Sequence, residues 1–146
     1  MGAPAPVQAG DRRQGDEAEP MEVGPITRTH IVRYAGASGD FTPIHHDEPL
    51  AQKVGLPAVF TMGMLQGGML AHLVADWLGL ANVRRFAIRF EERVWPGDVL
   101  TFTAKVASVE DADGVERVTA ELACHNQDGK RALSGSAVAE YALGQR

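Results

Sequence analysis

The hydrophobic pattern changes period once along the chain. From Gly63 to about Gly79, Leu65, Met69, Leu70, Leu73, Val74 and Trp77 recur at three- and four-residue spacing, which predicts one long amphipathic helix. After Asn82 the period becomes two. Phe86, Ile88 and Phe90 alternate with Ala87, Arg89 and Glu91; Leu100, Phe102, Ala104 and Val106 alternate with Thr101, Thr103 and Lys105. Val118, Ala120, Leu122 and Cys124 form a third such series, and a last strand covers about Ala132 to Ala142. Asp113-Gly114 and Asp128-Gly129 mark hairpin turns, and Pro96-Gly97-Asp98 marks another. A long apolar helix followed by an antiparallel meander is α+β by pattern. Gly67 and Gly68 inside the helix each cost about 1 kcal/mol against Ala, which predicts close packing against a neighbouring backbone.

Two short helices are expected upstream. Thr29 caps one through His30–Ala35, ending near Gly36 and Gly39; Asp47 caps another that tolerates Pro49 in its first turn and ends at Gly55. Residues 1–21 hold three prolines, three glycines and scattered charge without apolar periodicity. They read as a loose tail before one domain at 22–146.

Composition narrows the function class. A net charge of −5 argues against a nucleic-acid protein. No apolar run approaches the roughly 18–20 residues of a membrane span, and no signal peptide is visible, so a cytoplasmic location is expected. Cys124 is the one cysteine, which rules out an internal disulfide; on an apolar strand face it reads as a buried, inert thiol.

The candidate chemistry lies in Ser38-Gly39-Asp40-Phe41-Thr42-Pro43-Ile44-His45-His46-Asp47. Pro43 fixes its own φ and pushes Thr42 out of the helical region. Asp40 and His45 therefore sit on an extended or turning loop that can aim both at one point. An Asp/His pair around a water can move protons to and from a carbon acid or alkene. The ordinary alternative is a turn device followed by a helix entry.

The whole string resembles the signature of the MaoC-like, R-specific enoyl-CoA hydratases, a hot-dog-fold family. Gly55 to Leu65 and Phe90 to Asp98 resemble that family's later blocks in the same order, so the resemblance runs from about Pro25 to about Ala142. It implies a single hot-dog domain, a curved antiparallel sheet wrapped around the long helix. It implies Asp40 and His45 as the catalytic pair and Gly63 as the backbone donor to a thioester carbonyl, with Thr42, Pro43, Met62 and Met64 at the substrate. Thr42 stands where the family usually has Asn, and Met62 where it usually has His, which suggests an apolar acyl pocket reached by Met62. The implied reaction is hydration of trans-2-enoyl-CoA to (R)-3-hydroxyacyl-CoA by a homodimer, with no cofactor and no metal. Three alternatives stay open: the catalytic subunit of a heterodimeric dehydratase acting on a long-chain acyl-ACP or steroid-CoA, a hot-dog thioesterase, and a non-catalytic acyl-binding subunit.

The remaining polar residues carry weaker signals. His46 lines an entrance at most. His72 is expected to be packed or interfacial, and His30 and His125 to lie on the surface. Arg84, Arg85, Arg89 and Arg93 read as a solvated strand face, with CoA phosphates as the competing use.

Overall fold

A computed structural model describes residues 7–143. Five strands form one sheet in the order β1-β3-β4-β5-β2, every pairing antiparallel. They are β1 (Met21–Val23), β2 (Val83–Phe90), β3 (Leu100–Ala112), β4 (Val115–Asn126) and β5 (Arg131–Ala142). Three helices precede the meander: α1 (Arg28–Ser38), α2 (Glu48–Lys53) and α3 (Gly63–Leu78). The long α3 packs on one face of the sheet, the α+β hot-dog arrangement expected from the pattern and the resemblance.

The core follows from the two periods. Leu70, Val74 and Leu78 of α3 are buried against Phe102, Ala104, Val106, Val118, Ala120, Leu133 and Ala137. The alanines at the centre of three strands let the helix axis approach the sheet closely. Burying each large side chain completely is worth about 1.5–3 kcal/mol. Asp113 and Gly114 both have positive φ, 54° and 82°, as a two-residue hairpin requires. Asp98 is buried and closes the turn before β3, accepting bonds from the Trp95 N–H (2.8 Å) and the Gln127 amide (2.9 Å).

Several expectations need correction. The cap of α1 is Thr27, not Thr29. Its hydroxyl accepts the His30 N–H at 3.3 Å, and its own N–H donates to His30 Nδ1 at 3.0 Å. His30 thus does the work that Glu or Gln usually does in a capping box. The helix runs through Gly36 and ends at left-handed Gly39. Of the two helix glycines, Gly67 faces a side chain, with an added Cβ 2.8 Å from Ile88 Cδ1, while Gly68 has nothing within 4 Å. His72 is exposed beside Asp76 and is not packed within the chain.

The largest difference concerns residues 1–21. Residues 1–6 lie outside the described residues, but residues 7–21 run along the domain and are anchored to it at several points. The Gly15 and Ala18 N–H groups donate to the carbonyls of Val106 and Ala104, and Val106 N–H donates to Asp16. Ala18 is buried in the core and Met21 opens a strand. The Arg12 guanidinium donates to the Trp77 carbonyl at the C-terminal end of α3 and lies 5.3 Å from the Trp77 ring centroid. Backbone pairing along β3 needs no apolar periodicity in the segment that pairs, so composition gave no sign of it.

Candidate active site

The Asp40–His45 loop is shaped by its own short-range bonds. Ser38 Oγ donates to the Tyr34 carbonyl and accepts the Asp40 N–H, joining the loop to the end of α1. Asp40 Oδ1 then accepts both the Thr42 hydroxyl (2.6 Å) and the Thr42 N–H (3.1 Å). Thr42 holds an extended ψ of 123° before Pro43, and Pro43–His45 forms one 3-10 turn. Asp47 caps α2 by accepting the Leu50 N–H at 3.0 Å, as expected.

This loop places an acid and a base around one small gap. Asp40 Oδ2 lies 4.0 Å from His45 Nε2. That is too long for a direct hydrogen bond and suits one water held by both. His45 Nδ1 lies 2.7 Å from the Phe60 carbonyl oxygen. A carbonyl only accepts, so Nδ1 carries a proton, and in the neutral ring Nε2 turns its lone pair toward the gap. The imidazole is buried, whereas the Asp40 side chain is 41% exposed. The Thr42 hydroxyl and N–H, with a smaller contribution from His45, hold the Asp40 carboxyl below the usual carboxylate range. Asp40 is therefore ionised at neutral pH.

Both residues line a cavity of about 590 Å³. Its far wall is the start of α3, with Gly63, Met64 and Gln66. No side chain caps α3, and among the described residues the N–H groups of Gly63 and Met64 have no partner. They are donors at the positive end of a 16-residue helix. Gly63 has a further reason to be glycine: an added Cβ would stand 2.6 Å from the Phe90 ring.

The other expected site residues fall in different places. Met62 borders the cavity but is 3% exposed and packed with Ile31, Ala35, Ala51 and Val59, so it anchors the α3 entry to α1 and α2. Thr42 and Pro43 do not line the cavity; Thr42 acts on Asp40. His46 is exposed, with Nε2 3.0 Å from the Phe41 carbonyl. Of the four arginines, Arg93 alone lines the cavity, over the Phe60 ring at 5.2 Å, while Arg84 pairs with Glu140. Cys124 is buried, and burial pushes its thiol up to about 12.

Phe60, Thr61 and Gln66 join the site without a motif of their own in the sequence. The Phe60 carbonyl holds His45, and the buried Thr61 hydroxyl donates to Gln66 Oε1 at 2.9 Å. The one signal in the sequence is a glutamine among the apolar residues that open α3.

Comparison with known proteins bears on the family and the fold. The family model described as MaoC like domain matches residues 9–127. A Mycobacterium tuberculosis protein named 3-oxo-4,17-pregnadiene-20-carboxyl-CoA hydratase beta subunit is 31% identical over 84 residues, which cover 57% of this chain and 65% of that protein. The match thus spans a little under two thirds of that relative. Among solved structures, an Archaeoglobus monoamine oxidase regulatory protein superposes with TM-score 0.81 at 24% identity, covering 99% of this chain and 100% of that one. An unliganded (R)-hydratase from Pseudomonas aeruginosa superposes with TM-score 0.79 at 24% identity, covering 96% and 88%. At these identities the two structures speak to the fold.

Proposed function

This chain belongs to the MaoC-like domain family, and on that ground we propose that it hydrates a trans-2-enoyl thioester of CoA reversibly to the (R)-3-hydroxyacyl thioester. The observation that carries the reading is the Asp40–His45 gap of 4.0 Å, with His45 Nδ1 tied to the Phe60 carbonyl.

Water between Asp40 Oδ2 and His45 Nε2 has one acceptor that is charged and one that is neutral. As its oxygen bonds to C3, a proton passes to the pair, and a proton from the same pair ends on C2. The C2=C3 double bond becomes a single bond, and no other reactant is needed. Charge developing on the thioester oxygen meets the free N–H of Gly63 at the α3 terminus. In dehydration the same imidazole returns a proton to the departing hydroxyl. The ionised Asp40 keeps the water oriented and stabilises the imidazolium.

A second reading is favoured by one observation. The Mycobacterium relative is named a beta subunit, so this chain is also a candidate for the catalytic half of a heterodimer. A homodimer is the simpler expectation from the resemblance.

The test is loss of enoyl-thioester absorbance when the purified chain meets enoyl-CoAs of graded length. Asp40→Asn and His45→Gln are each expected to lower kcat by about 10²–10⁴ with the far-UV spectrum unchanged. A folded His45→Gln protein at the wild-type rate would sink the assignment. Release of free thiol instead would indicate a thioesterase. Activity appearing only with a related subunit would select the heterodimer.

A further inference from the structure

Gln66 is 3% exposed and sits one helical turn beyond Gly63, in the wall of the same cavity as Asp40 and His45. Its Oε1 is committed to the Thr61 hydroxyl at 2.9 Å. Thr61 is itself buried and fixed, its N–H donating to the Val94 carbonyl at 2.9 Å. With the oxygen held, the amide NH₂ is what remains. Among the described residues no acceptor meets it. The only sealed and unpartnered side-chain nitrogen or oxygen among them is Arg12 Nε, so the Gln66 nitrogen opens onto the cavity.

A side chain on a helix leans back toward the N-terminus and covers the turn before its own Cα. The Gln66 amide therefore leans toward the first turn of α3, which carries the unpartnered N–H groups of Gly63 and Met64 into the same cavity. The nitrogen reaches the cavity with no protein acceptor, so a group occupying the cavity is what can accept from it. The arrangement makes sense when an oxygen is bound there.

We propose that Gln66 is a catalytic residue that donates a second hydrogen bond, beside the Gly63 N–H, to the carbonyl oxygen of the bound thioester. The inference rests on the hydration reading above. Thr61 is a positioning residue: its hydroxyl holds the amide with the nitrogen toward the substrate. The donor strengthens as the oxygen gains enolate charge, so its contribution belongs to the transition state more than to binding.

The test uses Gln66→Met, which keeps length and burial and removes both donors. Its kcat should fall about 10²–10³, the usual loss for one oxyanion donor, with a much smaller change in KM. The loss should be the same for short and long acyl chains. In an Asp40→Asn background, where turnover is slowed, the infrared band of a ¹³C-carbonyl enoyl-CoA should move to higher frequency on Gln66→Met. Thr61→Val leaves the amide present but free to turn. It should show a smaller loss with the same sign of band shift, and it keeps the test open if Gln66→Met does not fold. An unchanged kcat in folded Gln66→Met, a loss confined to KM, or an unmoved carbonyl band would overturn the proposal while wild-type hydration stands. Absence of hydration by the unaltered chain, both alone and with a related subunit, would overturn the reading beneath it, and the proposal with it.

Discussion

Thr42 governs the charge of a neighbour two residues away. Its hydroxyl and its N–H both bind Asp40 Oδ1, leaving Oδ2 to face the histidine. Thr42→Val removes the hydroxyl bond, the largest cause of the depressed carboxyl, and keeps the backbone bond. Carboxyl ¹³C NMR should then show Asp40 titrating at higher pH, closer to an ordinary aspartate. The sign for stability follows from linkage. A carboxyl whose folded pKa lies below its unfolded value stabilises the fold above the unfolded pKa, and that contribution drains as pH falls through the folded pKa. The gap in thermal midpoint between wild type and Thr42→Val should therefore be present at neutral pH and close in strong acid. At this scale the sequence was readable where residues act locally. Asp40, Thr42 and His45 lie within six positions and Pro43 dictates their turn. Thr61 and Gln66 were not readable, because a buried hydroxyl–amide pair has no spacing that separates it from chance.

Between elements, glycines mark where backbones come close, and they do so unequally. An added Cβ at Gly135 of β5 would collide with the Ala87 carbonyl of the neighbouring β2. Backbone in a paired strand cannot step aside, so Gly135→Ala should destabilise the fold by about 1–3 kcal/mol. At Gly68 nothing stands within 4 Å, and the helix gains from a better former. Gly68→Ala should stabilise by about 0.4–1 kcal/mol. Urea denaturation of the two variants checks both signs; equal effects would remove the distinction. The α3 helix and the four long strands were legible because each repeats its period several times. The strand β1 was not, being only three residues long, too short to show alternation.

For the molecule as a whole, the N-terminal segment belongs to the fold. A chain starting at Glu22 loses three backbone bonds to β3, the buried Ala18 and the Arg12 contact with the end of α3. At about 1 kcal/mol net per hydrogen bond, a loss of a few kcal/mol is expected. That should lower the thermal midpoint on the order of 10 °C, read by calorimetry. An unchanged midpoint would show that these contacts contribute nothing. Over residues 7–21 composition gave no sign of this, because edge pairing draws on N–H and C=O groups that every residue carries.

Arg12 over Trp77 has one more consequence. The chain has two tryptophans, and they sit in unlike surroundings. Trp77 lies under a cation from the N-terminal segment, while Trp95 meets Phe60, whose carbonyl holds the imidazole, at 5.8 Å between ring centroids. Intrinsic fluorescence thus gives two optical windows: one on the docking of the chain's beginning, the other on the wall of the cavity.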